Sequence, residues 1–232
     1  IFNALIATLE AGDEGVIPAP YWVSYPDITL VCDGTPVPVA CGEDVGYKLT
    51  PEALEAAITP KTKWLILNNP NNPSGAVYGP DDLKALAEVL RRHPEVRVLS
   101  DDIYEHLVYD GAQFHSILEF APDLTDRTLV VNGFSKTYSM TGWRLGYGAG
   151  PVDLIKNMTK YQSQATSGAC SISQWAGVAA LEGDHSFIAH NKAVFQSRRD
   201  LVVERMNAIE GLSSVAPEGA FYAYISCGDL LG

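Results

Sequence analysis

The chain has 232 residues, 47% of them hydrophobic, and a formal net charge of −12. That is enough to bury a substantial core, as one large domain or one domain and part of another. The acids are dispersed and no basic block occurs, which argues against a nucleic-acid or anionic-membrane surface. No apolar run approaches the roughly 18 residues of a membrane span and no signal-peptide pattern is present, so a cytoplasmic location is expected. Cys32, Cys41, Cys170 and Cys227 form no CxxC pair, and the histidines form no HExxH. No metal is expected, and the thiols read as free in a reducing cytosol.

In chain order, the sequence opens at Ile1-Phe2-Asn3 inside an amphipathic helix expected to stop at Gly12. Val16 to Pro18 reads as a short strand running into a proline-rich loop that holds Trp22. Thr50-Pro51-Glu52 and Gly79-Pro80-Asp81 are helix starts, with proline in the first turn and acids at the positive end. Between them, Trp64 to Leu67 is a continuous apolar strand entering the run Asn68 to Gly75. Val96 to Leu99 is the next strand, ending in Ser100-Asp101-Asp102-Ile103-Tyr104. Thr128 to Val131 and Trp143 to Tyr147 read as two more. From Asp153 to about Asn207 the pattern is helical, broken near Ser167-Gly168 and Gly183-Asp184. Phe221 to Ile225 is strand-like again. Continuous apolar strands joined through helices predict an α/β fold with a mainly parallel sheet covered on both faces. A chain opening without methionine and closing at Leu230-Leu231-Gly232 is expected to be part of a longer protein, cut at both ends.

Open α/β sheets bind ligands at the carboxyl ends of their strands. There this sequence places Trp22, Asn72, Asp101, Tyr104, Ser135-Lys136 and Arg144. Each has an ordinary alternative: Trp22 and Tyr104 could be core, Asn72 a turn former, Asp101 a helix cap, Lys136 a loop lysine, and Arg144 a surface ion pair. Their recurrence at consecutive strand ends favours a shared site. Gly146-Tyr147-Gly148-Ala149-Gly150 has the context of a dinucleotide fingerprint, but Pro151 replaces its third glycine and no acid follows at the required distance. Close backbone packing explains these glycines better.

Three motifs together resemble one family. They are Asn69-Pro70-Asn71-Asn72-Pro73-Ser74-Gly75, Ser100-Asp101-Asp102-Ile103-Tyr104-Glu105-His106, and Ser135-Lys136 followed by Gly142-Trp143-Arg144-Leu145-Gly146-Tyr147. Their order and spacing resemble the class I pyridoxal-phosphate aminotransferases of fold type I. Pro20 to Pro26 and Thr141 to Arg144 are most similar to the bacterial aspartate aminotransferase branch.

The resemblance implies a pyridoxal 5'-phosphate cofactor held by Lys136 as a Schiff base, with Lys136, Asp101 and Tyr104 as the catalytic residues. An unperturbed lysine keeps its proton to about pH 10, so this role asks for surroundings that favour the neutral amine. Asp101 would face the ring nitrogen, Tyr104 and Asn72 the phenolic oxygen, and Arg144 and Ser135 the phosphate. Trp22 would stack on the ring, and Trp22 and Asn72 would also meet substrate. The Asn72–Pro73 peptide is implied to be cis. Asp102 stands where many relatives carry glutamate, with little effect expected. The implied activity exchanges an amino group between an amino acid and a 2-oxo acid, aspartate with 2-oxoglutarate first. The alternatives are aromatic or prephenate-type substrates, another pyridoxal-phosphate enzyme on this scaffold, or a regulatory cofactor-binding module. The implied architecture is a cofactor-binding large domain over residues 1–190, lacking its phosphate loop, and the incomplete start of a small α+β domain over 191–232. A homodimer is implied, with Gln162 to Ser167 as a candidate interface loop.

Overall fold

The computed structural model describes residues 1–231. In chain order the elements are α1 (Phe2–Ile6), β1 (Glu14–Ala19), α2 (Ser24–Val31), β2 (Thr35–Ala40), α3 (Pro51–Ala57), β3 (Thr62–Asn68), α4 (Pro80–Arg92), β4 (Arg97–Asp101), α5 (Ile117–Phe120), β5 (Thr128–Gly133), β6 (Gly146–Ala149), α6 (Val152–Ala165), α7 (Ser171–Glu182) and α8 (Ser186–Asn207), with short 3₁₀ turns between some of them. The six strands form one sheet in the order β2-β1-β3-β4-β5-β6. All neighbours are parallel except β5 and β6, which pair antiparallel. The expected mainly parallel sheet is the one observed.

Side chains alternate across a strand, so each central strand serves two cores. On one face, Val16, Leu65, Leu67 and Val98 pack with Leu54 of α3 and Leu83, Leu86 and Leu90 of α4. On the other, Ile17, Trp64, Ile66, Leu99, Leu129 and Val131 pack with Leu5 of α1 and Leu154 of α6. A strand buried on both faces reads as an unbroken apolar run, as Trp64 to Leu67 does. α4 begins with Asp81 and Asp82 at its positive end, where the Asp82 carboxylate accepts from the Gly79 N–H at 2.9 Å, and it ends with Arg91 and Arg92.

Three expectations change, and further elements appear. α1 closes at Ile6 and continues only as turns, well short of Gly12. The strand expected over Trp143 to Tyr147 is shifted: Thr141–Trp143 is a 3₁₀ turn, Arg144 sits at φ 52°, and β6 starts at Gly146. Phe221 to Ile225 forms no strand. Ala220 has φ +57° and turns the chain, and the nearby pairing is a bridge between Ser213 and Ser226. Finally, β2 and α2 were not anticipated. β2 carries Pro36 and Pro38, which an edge strand tolerates because one side needs no ladder partner.

The glycines after Arg144 serve close packing. A Cβ on Gly146 would lie 2.9 Å from the Asn132 carbonyl oxygen, and one on Gly150 would lie 3.0 Å from that of Thr128. The breaks expected in the helical region fall between α6, α7 and α8, and α8 runs unbroken through residue 190. Among the described residues, no helix is long and apolar enough to cross a membrane.

Leu86 is fully buried between α4 and the sheet. Leu86→Ala is expected to lower stability by about 2–5 kcal/mol, read as a reduced denaturation midpoint in urea. A midpoint unchanged from the wild type would contradict this packing.

Candidate active site

The carboxyl ends of β1, β3, β4 and β5 open onto one cavity of about 470 Å³. Its lining includes all seven residues singled out from the sequence: Trp22, Asn72, Asp101, Tyr104, Ser135, Lys136 and Arg144. Arg144 reaches this edge by a different route from the one expected. It precedes β6, and because β6 runs antiparallel, its start lies beside the end of β5.

Asp101 is the last residue of β4 and is 6% exposed. Burial pushes its carboxyl above the usual carboxylate range, while the Tyr25 hydroxyl, the Ile103 N–H and the Lys136 ammonium pull it back. Tyr25 Oη donates to Asp101 Oδ2 at 2.7 Å, and the Ile103 N–H donates to Oδ1 at 3.3 Å. Among the described residues no cation forms a salt bridge with this carboxylate. The backbone is fixed as well: Asn68 Nδ2 donates to the Asp101 carbonyl at 2.9 Å.

Asn68 also orients Asn72, since its Oδ1 accepts from the Asn72 N–H at 2.7 Å. The Asn72–Pro73 peptide is cis, as the resemblance implies, and so are Ala19–Pro20 and Asn69–Pro70. Trp22 is 37% exposed and stands edge-on to Tyr25, ring centroids 5.3 Å apart. Burial pushes the Tyr104 phenol far up, and Asn72 opposes the rise. Lys136 Nζ lies 5.2 Å from the centroid of Phe221 and 5.8 Å from that of Tyr104. Arg144 is held in the left-handed region at φ 52° and ψ 48°, with Nη1 donating to the Thr141 carbonyl at 2.9 Å. A bulky side chain in that region is strained, and such strain clusters at ligand sites.

Three residues of the site escaped the sequence reading. Tyr25 lies three residues beyond Trp22 in α2, a short helix with no side-chain cap to mark its start. Asn68 was visible only as the first of an asparagine-rich run. Tyr222 comes from a distant segment that read only as a strand, and its hydroxyl lies 2.5 Å from that of Tyr104.

Residues 1–230 match the family described as aminotransferase class I and II. The chain belongs to the class I and II aminotransferase family. The aspartate/prephenate aminotransferase of Cereibacter sphaeroides is 56% identical over 232 residues, covering 100% of this chain and 58% of that protein. The crystal structure of the aspartate aminotransferase from Rhizobium meliloti superposes with a TM-score of 0.97 at 55% identity, covering 100% of this chain and 58% of that one. The aspartate aminotransferase of Thermus thermophilus, solved with maleate, gives a TM-score of 0.90 at 41% identity, covering 97% and 58%. The chain thus spans a little over half the length of the aminotransferases it matches.

Pyridoxal phosphate, the cofactor implied for this family, fits the donor set. A buried carboxylate with no salt-bridge partner among the described residues suits a protonated ring nitrogen, a tyrosine and an asparagine suit an oxyanion, and a serine and an arginine suit a phosphate. The amine of Lys136 stands among them.

Asp102 differs from its neighbour. It is 3% exposed, does not line the cavity, and accepts from Ser100 Oγ at 2.7 Å. Burial first, then Asp101, Glu105 and Glu119, push its carboxyl up to about 7. In the unfolded chain an aspartate titrates near pH ~3.9. Between about pH 4 and about pH 7 the folded protein therefore keeps a proton that the unfolded chain has lost, and this group's contribution to stability falls as pH rises through that window. Asp102→Asn removes the titration. Relative to the wild type, it should gain about 2–3 kcal/mol on going from pH 5 to pH 8, measured by urea unfolding at both. A pH-independent difference would contradict the assignment.

Proposed function

We propose that this chain carries the cofactor-binding core of a pyridoxal-phosphate-dependent aminotransferase that exchanges an amino group between an amino acid and a 2-oxo acid. The observation that carries the reading is the convergence of Lys136, Asp101, Tyr104 and Arg144 on one cavity. The likeness to aminotransferases over nearly the whole chain supports it.

In this reading Lys136 would hold the cofactor covalently, and its amine would move a proton at the substrate Cα. When bound, pyridoxal phosphate supplies an electron sink for the pair left at Cα. Asp101 keeps a proton on the ring nitrogen, because its carboxylate is stabilised by a cation placed against it. Tyr25 holds that carboxylate in place. Tyr104 and Asn72 donate to the phenolic oxygen and favour its charged form. Arg144 binds the phosphate with two parallel donors, a task for which a lysine lacks the geometry, and Ser135 adds a third. Trp22 covers a ring face, and Trp22 and Asn72 also meet the substrate.

The substrate pair proposed is aspartate with 2-oxoglutarate, giving oxaloacetate and glutamate, supported by the names of the Rhizobium and Thermus relatives. A prephenate-type substrate is a second reading, favoured by the name of the Cereibacter relative. The two share every cofactor contact, so rates with aspartate and with prephenate-type acceptors separate them. The proposal includes a homodimer, supported by exposed apolar side chains on α7, where Ile172 is 70% and Trp175 is 74% exposed. It also includes residues 1–190 as the large domain and 191–232 as the start of a smaller one. Cytoplasmic residence completes it, supported by four cysteines that are all free.

Lys136→Ala in the full-length protein should reduce amino transfer by about 10³-fold or more and abolish the lysine-linked visible absorbance of the cofactor. Turnover equal to the wild type would overturn the assignment.

A further inference from the structure

Tyr222 lies outside every motif that pointed to the site, yet it enters the cavity and touches its central hydroxyl. The two phenolic oxygens of Tyr104 and Tyr222 are 2.5 Å apart, and their rings stand nearly perpendicular, with centroids 5.7 Å apart. The segment that brings Tyr222 there is tied down on both sides. The Gly219 N–H donates to the Gly75 carbonyl at 2.8 Å, and the Ala220 N–H donates to the Leu107 carbonyl at 2.8 Å. Arg199 Nη1 donates to the Pro217 carbonyl at 3.0 Å, and the Tyr109 hydroxyl bonds the Ala220 carbonyl. In an extended strand, successive side chains point to opposite faces. Here the chain turns at Ala220 and Phe221, with Ala220 at positive φ, and Phe221 and Tyr222 both pack on Tyr104.

A phenol has a single proton to donate. If Tyr104 gives its proton to Tyr222, none remains for an oxyanion in the cavity. If Tyr222 donates, the Tyr104 proton is free, and a hydroxyl that accepts one hydrogen bond donates the next more strongly. We infer that Tyr222 is a positioning residue that donates to Tyr104 and so directs the Tyr104 proton at the cofactor's phenolic oxygen. This rests on the proposed pyridoxal-phosphate site, and the test separates the two claims.

The test uses the full-length holoenzyme and follows the pH midpoint of the bound cofactor's visible absorbance in Tyr222→Phe, Tyr104→Phe and the double variant. Asp101 and Lys136, the charged groups beside the pair, are unchanged in each. Tyr222→Phe keeps the ring and its packing and removes only the hydroxyl. Losing a donor to the oxyanion raises the midpoint. Tyr104→Phe should therefore raise it, Tyr222→Phe should raise it by a smaller amount, about 0.5 unit, and Tyr222→Phe should add nothing in the Tyr104→Phe background. A Tyr222→Phe midpoint equal to the wild type, or an equal shift in both backgrounds, would overturn the role of Tyr222 alone. A Tyr104→Phe midpoint equal to the wild type would overturn the underlying site reading.

Discussion

Asp101 places a carboxyl at the end of a central strand, 6% exposed and without a salt-bridge partner among the described residues. An unpaired buried carboxylate is unfavourable by several kcal/mol unless hydrogen bonds or a cation compensate. Much of the surrounding structure is arranged around that constraint. α2 turns back after the Trp22 loop so that Tyr25 reaches the carboxylate, and Asn68 at the end of β3 fixes the backbone that carries it. The compensation is partial, which leaves the carboxyl with a raised affinity for positive charge. A cationic ring nitrogen is the chemical complement of that state.

The fold positions the remaining groups cheaply in terms of chain. Parallel strands all end at one edge, so residues just past β1, β3, β4 and β5 meet without any special loop. β6 reverses direction, and the reversal places Arg144 at the same edge by its starting end. The tight approach of β5 and β6 explains the glycines that suggested a nucleotide fingerprint. A segment far along the sequence then closes over Lys136, with Phe221 and Tyr222 delivered by the turn at Ala220.

Much of this was legible in the residues. Trp64 to Leu67 and Thr128 to Val131 announce buried strands because both their faces are covered, and Pro51 and Pro80 announce helix starts by their fixed φ. The seven site residues could be picked out because they sit at strand ends and within motifs of fixed order. What escaped depends on tertiary context. β2 is an edge strand interrupted by prolines, so local signals argue against it, and α2 has no side-chain cap to mark its start. Phe221 to Ile225 has the composition of a strand but lacks a ladder, which only pairing can supply. Tyr25 and Tyr222 are ordinary tyrosines until folding brings them to Asp101 and Tyr104.

Lys136 is the amine proposed to hold the cofactor in this cavity. Borohydride reduction of the full-length protein with pyridoxal phosphate, followed by peptide mass spectrometry, tests it directly. The expected result is a stable pyridoxyl label on the peptide containing Lys136, at one label per chain. A label on another lysine, or none, would contradict it.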